Sequence, residues 1–406
     1  MSKLEDYSPI VGESIVEELF LLGRKLEGKV IQNINSTAVG GGVAEILARI
    51  LPLLKQLNVQ ARWDVIKGNE KFFMITKKLH NGLHGIKVDI DHDEFNYLLE
   101  VNRENVEYLS SFGDIVFIHD PQPIALIEQK SKIGKKWIWR CHIDFTTPEK
   151  EIWEFLKKFI EMYDSAVFSA PAFLRPLSIP QILISPSIDP LSDKNRYLPE
   201  AVLNEVCEKY HINREKPIIT QISRFDYLKD PLGVIKAYRL AREHVDCQLI
   251  LAGGGATDDP EGRKVLEEVQ AESAQDSDIH VLFLPPASDV EVNALQRVSN
   301  VILQKSLKEG FGLTVAEALW KSKAVIASAV GGIPLQITHK YSGILTHTIE
   351  GTAYWIKQLL NEPEYAARLG ANGKEHIKNN FLITRHIRDY LLLFLSLYNQ
   401  DDIVYL

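Results

Sequence analysis

Short, uninterrupted apolar runs alternate with helix-length amphipathic segments along nearly the whole chain. That alternation restricts the fold to parallel sheets covered by helices on both faces, because a strand buried on both sides has no polar face to show. Strands are predicted at 29–35, 114–119, 136–140 and 166–169, with helices over 43–57 and 148–164. A polar, proline-bearing stretch at 185–195 follows and reads as a linker. The alternation then restarts, with strands at 217–222, 247–252, 280–284, 301–304 and 324–328. Helices are predicted between and after them, at 231–244, 262–271, 289–298, 314–321 and 352–360. A length of 406 residues accommodates two such domains, each with a full core. The expectation is an α/β chain of two doubly wound domains facing each other across a cleft.

Charge and cysteine content narrow the function. Lys and Arg number 46 against 54 Asp and Glu, a net charge of −8. This argues against a nucleic-acid binder, whose affinity comes from basic patches that release counterions. Cys141, Cys207 and Cys247 are scattered and odd in number, which fits neither a zinc site nor a disulfide framework and suits a reducing cytoplasm. The polar start, Met1 to Asp6, does not read as a signal peptide, and the apolar tract at 391–398 is far short of the ~20 residues that span a bilayer. A cytoplasmic chain without a membrane partner is expected.

Ligands of open parallel sheets bind beyond the carboxyl ends of the strands. The richest such end is 304–320, where a strand gives way to Glu309-Gly310-Phe311-Gly312 and then a helix carrying Glu317. The glycines allow a backbone to approach a ligand, and the N–H groups of Gly312, Leu313 and Thr314 open a helix N-terminus that attracts phosphate. Glu309 is placed to face a sugar and Glu317 to accept hydrogen bonds from a vicinal diol. Arg224 and Lys229 follow the 217–222 strand and offer a planar fork and a point charge. In the first half, Gly40-Gly41-Gly42 precedes a helix but lacks the ending of a P-loop. His119 and Asp120, then His142 and Asp144, follow two successive strands. Asp91-His92-Asp93 is read as solvated surface, and no metal site is expected.

Glu309-Gly-Phe-Gly-Leu-(x)3-Glu317 resembles the E-x7-E motif of family-4 retaining glycosyltransferases with the GT-B fold. Arg224 and Lys229 match that family's Arg-x4-Lys phosphate pair, Gly40-Gly-Gly-Val43 its N-terminal glycine loop, and Val330-Gly-Gly-Ile-Pro334 its glycine turn. Leu335 and Gln336 after that turn depart from the Glu that many members carry there. A narrower resemblance rests on Trp63, Gly68, Phe72, Phe73, Thr76, Lys77, His80 and Asn81, with 119–123 and 139–144. It is similar to trehalose glycosyltransferring synthases and to retaining trehalose phosphorylases.

The resemblance implies two Rossmann-like domains: 1–187 with a C-terminal helix, about 384–406, crossing back onto it, and 188–383. The apolar stripe of that helix (Leu391, Leu392, Phe394, Leu395, Tyr398) needs such a partner surface. It implies transfer of glucose from a UDP-, ADP- or GDP-glucose donor to free glucose, giving α,α-trehalose, with no covalently bound cofactor. Glu309, His142, Arg224 and Lys229 would carry catalysis. Gly41, Gly42, Arg224, Lys229, Gly310, Phe311, Gly312, Leu313, Thr314 and Glu317 would bind the nucleotide sugar. Asn69, Lys77, His80, Asn81, His119, Asp120 and Asp144 would bind the acceptor. Small-molecule sugars are the expected partners, with self-association into a homo-oligomer left open. Phosphorolysis of trehalose and an idle sugar or nucleotide sensor are the competing readings.

Overall fold

The computed structural model describes residues 2–38, 42–109, 111–254, 260–285 and 287–398. Gly40 and Gly41 of the glycine loop therefore lie outside the described residues. The chain divides into two compact units, Met1–Ser187 with Ile383–Leu406, and Ile188–Leu382.

The first unit is built on a six-stranded parallel sheet of β1 (Val30–Asn35), β2 (Gln60–Val65), β3 (Ile115–His119), β4 (Lys136–Cys141), β5 (Ser165–Phe168) and β6 (Gln181–Leu183). Its order is β2-β1-β3-β4-β5-β6. The order reverses between β1 and β3, so the loops leaving their carboxyl ends diverge and open a crevice. Ile34 pairs with Ile118 across that point, which sets the ends of the two strands side by side.

The helix Ile383–Ser396 packs on the helices Glu13–Lys25 and Gly42–Gln56 of this unit. Its Tyr390 and Phe394 rings lie 5.2 and 5.8 Å from Phe117 of β3, edge to face. Leu391, Phe394 and Leu395 of the expected stripe are buried, and Leu393 joins them. Tyr398 instead lies past the helix end, exposed, with the Lys29 ammonium 4.8 Å from its ring.

The second unit carries β7 (Ile218–Ile222), β8 (Gln248–Gly253), β9 (Ile279–Phe283), β10 (Val301–Gln304), β11 (Ala324–Ser328) and β12 (Ile344–Thr346). They order as β12-β11-β10-β7-β8-β9, again all parallel, with the reversal between β7 and β10. Successive strand residues point to opposite faces, and both faces are filled. Ile219, Leu249, Leu251 and Leu303 pack under the helices Pro231–Arg242 and Ile349–Asn361. Ile218, Ile222, Ile250 and Ala252 pack under Glu200–Lys209 and Asp289–Val298.

The strands absent from the expected set are β2, β6 and β12, and each is a sheet edge. β2 is half-buried along its length, while β6 and β12 have only three residues each, so none shows a continuous apolar run. The chain passes from the first unit to the second at Ser187–Ile188, inside the stretch read as a linker. Most of 185–195 packs into the second unit: Ile188 N–H donates to Phe381 O at 2.9 Å, and buried Asn195 donates to Asp189 O at 3.0 Å.

Candidate active site

In the second unit the polar groups gather where β7 and β10 part. The loop after β7 carries Arg224, then a tight turn at Tyr227–Lys229, and then Asp230 at φ +46°, whose carboxylate caps the next helix through Gly233 N–H at 3.0 Å. Lys229 Nζ donates to Glu309 Oε2 at 2.6 Å, and both side chains are largely enclosed. Two more donors reach the same oxygen: Ser306 Oγ at 3.1 Å and Gln304 Nε2 at 3.3 Å. Thr314 Oγ1 donates to Gln304 Oε1 at 2.8 Å, which fixes which way the Gln304 amide points. Buried Gln221 ties the two loops together, accepting from Lys305 N–H at 2.9 Å and donating to Lys229 O at 2.9 Å. Lys305 also reaches Asp230. Arg224 is different: its side chain is 52% exposed and 3.6 Å from Asp226, a cation presented to solvent beside a fixed one.

The loop Gly310–Gly312 is clamped by the glycine turn at 330–334. Gly332 N–H donates to Glu309 O at 3.3 Å, and a Cβ at Gly332 would come within 2.6 Å of Gly310 O. Gln336, fully buried, donates to Phe311 O at 2.5 Å and Gly312 O at 3.4 Å. One of the two residues that depart from the resembling pattern therefore holds the loop through its side chain. Phe311 packs on Phe381 at 5.4 Å, and Gly312, at φ +84°, starts the helix Leu313–Trp320 with Leu313 and Thr314 half-buried. Glu317 is only 2% exposed, with Lys194 Nζ at 3.9 Å from Oε1 and Lys321 one turn further along. The carboxylate expected to accept from a vicinal diol thus lies enclosed beside the Lys194 cation.

In the first unit a polar chain crosses from β1 to β4. His119 Nε2 meets Asn33 Oδ1 at 3.1 Å, and His119 Nδ1 meets His142 Nε2 at 3.0 Å. His142 N–H donates to Asp120 Oδ1 at 2.7 Å, and Asp120 itself sits at φ +64°, a left-handed conformation unusual for a residue with a Cβ. Burial holds His119 down to about 3 and His142 well below the usual histidine range, the Arg140 cation adding to both. Burial also pushes the Asp120 carboxyl up to about 7. His119, expected to touch an acceptor, is 1% exposed with both ring nitrogens engaged inside the unit, so it reaches the site through His142.

The other acceptor candidates are dispersed. Asn69 caps the helix Glu70–Leu83 through Phe72 N–H at 3.0 Å and donates to Tyr97 Oη at 2.6 Å. Lys77, His80 and Asn81 follow along that helix at one-turn spacing, His80 against His84 with ring centres 4.6 Å apart. Asp144 is buried and accepts from Thr146 N–H at 2.9 Å and Thr146 Oγ1 at 2.6 Å, closing its own turn. Gly42 opens the helix Gly42–Gln56, and Gly41 lies outside the described residues. Asp91 caps the helix His92–Tyr108 in a capping box with Glu94, a local structural duty. Among the described residues no three His, Cys, Asp or Glu cluster as metal ligands do, and no helix is long and apolar enough to cross a membrane.

Behind His142, Arg140 runs into the unit. Its Nη2 donates to Ile184 O at 3.0 Å, and its Nη1 lies 3.3 Å from His386 Nε2, while His386 Nδ1 lies 2.9 Å from Ser187 Oγ. Burial holds His386 well below the ordinary histidine range. Three histidines that stay neutral when folded make acid destabilising. Below their ordinary value near 6.5 the unfolded chain takes up protons that the folded rings refuse, so stability is full above that value and falls as pH drops. Asp120 opposes this by one proton, since its folded carboxyl stays protonated up to about 7. His386→Gln should remove roughly one proton from the slope of stability against pH between about pH 5 and 6.5. Urea unfolding at several pH values reads that slope; an unchanged slope would show that His386 is protonated in the folded protein.

Two doubly wound parallel units, the second joining Lys229 of the loop after β7 to Glu309 of the glycine loop, have the architecture of GT-B glycosyltransferases, and the comparisons with known proteins place the chain in that class. The family described as "Trehalose synthase, N-terminal domain" matches residues 33–175, and "Glycosyl transferases group 1" matches 204–376. Trehalose synthase of Pyrococcus horikoshii is 44% identical over 402 residues, covering 97% of this chain and 96% of that one. Trehalose phosphorylase of Pleurotus pulmonarius is 30% identical, covering 84% of this chain and 54% of that one. Among solved structures, an α,α-trehalose-phosphate synthase from Burkholderia xenovorans in complex with glucose-6-phosphate shares the fold at 13% identity. Its TM-score is 0.73, over 91% of this chain and 100% of that one. The chain belongs to the trehalose synthase family, and its chemistry is trehalose-related glycosyl transfer.

Sequence reasoning gave no site role to Asn33, Gln304, Ser306 or Gln336. A signal was present for three of them: amide side chains standing in strands or turns that fold into a core. Gln32, Asn33 and Asn35 interrupt the interior strand β1, and Gln304 ends β10. A buried amide is costly unless hydrogen-bonded, so amides in such places mark networks.

Proposed function

We propose that the protein forms α,α-trehalose by transferring glucose, with retention at the anomeric carbon, from a nucleoside-diphosphate glucose to free glucose. The observation that carries this reading is the contact of Lys229, on the loop after β7, with Glu309 of the glycine loop at the start of Leu313–Trp320. Charge builds on the diphosphate as the glycosidic bond breaks, and fixed cations with helix N–H groups stabilise it most when they are already in place. Arg224, exposed, and Lys229, held by Glu309, supply the cations; the N–H groups of Leu313 and Thr314 supply the helix end. Glu309 orients the donor sugar hydroxyls, His142 supports the reacting centre, and Asp120 binds the acceptor. The acceptor hydroxyl attacks from the face that the diphosphate leaves. No carboxylate is assigned as a covalent nucleophile.

The test is a panel of UDP-, ADP- and GDP-glucose with free glucose, scoring nucleoside diphosphate release and disaccharide. Trehalose together with one nucleoside diphosphate is the expected outcome. Formation of glucose phosphate from trehalose and inorganic phosphate, without turnover of any nucleotide donor, would move the reading to phosphorolysis, the activity named for the Pleurotus relative.

A further inference from the structure

We propose that Asn33 is a positioning residue for the transfer reaction: acting through His119, it fixes His142 with its proton on Nε2 and leaves Nδ1 as the ring's hydrogen-bond acceptor. The inference deepens the reading above, resting on the assignment of His142 to the sugar site. The direction of the chain follows from which atoms can donate. Asn33 Nδ2 donates to Arg62 O of β2 at 3.4 Å, next to the Asn33–Trp63 pairing of the ladder, so Asn33 Oδ1 is the atom turned to His119. An amide oxygen has no proton to give, so His119 Nε2 donates across the 3.1 Å contact.

One proton then sits between His119 Nδ1 and His142 Nε2, 3.0 Å apart. A singly protonated His119 has spent its proton on Asn33, and His142 must donate. A doubly protonated His119 would reverse that bond and put the His142 proton on Nδ1. The surroundings decide between the two. His119 is buried, packs against Phe117 at 4.6 Å, faces a neutral amide and not a carboxylate, and has the Arg140 cation near it. Of the other titratable neighbours, Asp120 engages the His142 backbone and His386 is held neutral behind Arg140. All but Asp120 act against a second proton on His119.

The consequence is chemical. A ring with a bare Nδ1 accepts a hydrogen bond from a sugar hydroxyl; the opposite tautomer donates one. Asparagine thus serves where aspartate, the same size, would draw the second proton onto His119 and invert His142.

The experiment is nitrogen NMR of the histidine rings in protein labelled with 15N-histidine, together with kcat and KM, on wild type, Asn33→Asp, Asn33→Leu, His119→Gln and His119→Leu. The expected wild-type spectrum shows His142 protonated at Nε2. Asn33→Asp moves the proton to Nδ1 and lowers kcat at least about tenfold, with donor KM nearly unchanged. His119→Gln, whose amide can both donate to Asn33 and accept from His142, keeps the Nε2 proton and is much faster than His119→Leu. That pair gives the same test without touching β1 should the Asn33 variants fold poorly. A His142 ring protonated at Nδ1 in wild type, or unmoved in Asn33→Asp, overturns the relay and leaves the sugar-site assignment standing. A shifted proton with unchanged kcat overturns the role in transfer and the assignment of His142 together.

Discussion

Changing Glu309 to glutamine is expected to lower kcat about 100- to 1,000-fold while the affinity for nucleoside diphosphate stays within a few-fold of wild type. The asymmetry follows from what surrounds the carboxylate. Glu309 Oε2 collects three donors, from Lys229, Ser306 and Gln304, and Thr314 in turn fixes the Gln304 amide. Glutamine keeps the volume but cannot accept all three with a full negative charge. The geometry offered to the reacting sugar loosens, and the loss falls on the transition state. Lys229, released from its partner, keeps its charge for the proposed diphosphate, so binding is expected to hold. Steady-state kinetics with calorimetric titration of the diphosphate separates the two quantities. Wild-type turnover in the variant would remove the loop from the chemistry.

Glu317→Gln should act on the fold first. Its carboxylate lies 3.9 Å from Lys194, and Lys321 Nζ, one turn on, is fully enclosed by Asn195 Oδ1 at 2.9 Å, Gln296 Oε1 at 2.8 Å and Glu317 O at 3.1 Å. Burial presses the Lys321 ammonium below its usual range, and the Glu317 charge holds it up. Removing that charge lowers the Lys321 pKa further, and the buried ammonium then sheds its proton, which limits the loss near neutral pH to about 1–2 kcal/mol. Urea unfolding should show a loss of that order, with weaker nucleotide binding beside it. Lys321→Met in the same background should recover much of the stability, because no buried ammonium then has to give up its proton. A Glu317→Gln protein as stable as wild type would mean that Lys321 is already neutral when folded.

The interior of the fold was legible because the middle strands of a doubly wound sheet are mostly apolar on both faces, as 115–118 and 166–168 are. Edges are exempt from that demand: Gln60–Val65, Gln181–Leu183 and Ile344–Thr346 carry no such pattern. The site divides similarly. Arg224, Lys229 and Glu309 announce themselves as charges at strand ends, and the structure brings Lys229 and Glu309 into direct contact. Asn33 and Gln304 escape notice because an amide in a strand signals a network without telling which residues it joins. Its meaning appears only when residues far apart in sequence, such as His119 86 positions from Asn33, are brought together. His119 was visible as a polar residue at a strand end, but sequence could not say that both its nitrogens would be consumed internally.

The helix Ile383–Ser396 completes the first unit, yet the ribosome makes it only after residues 188–382. The surface around Phe117 and the helix Glu13–Lys25 therefore stays uncovered until the second unit has emerged. Sealing the amino-terminal half becomes a late step of biogenesis, and that exposed surface is where a chaperone would act.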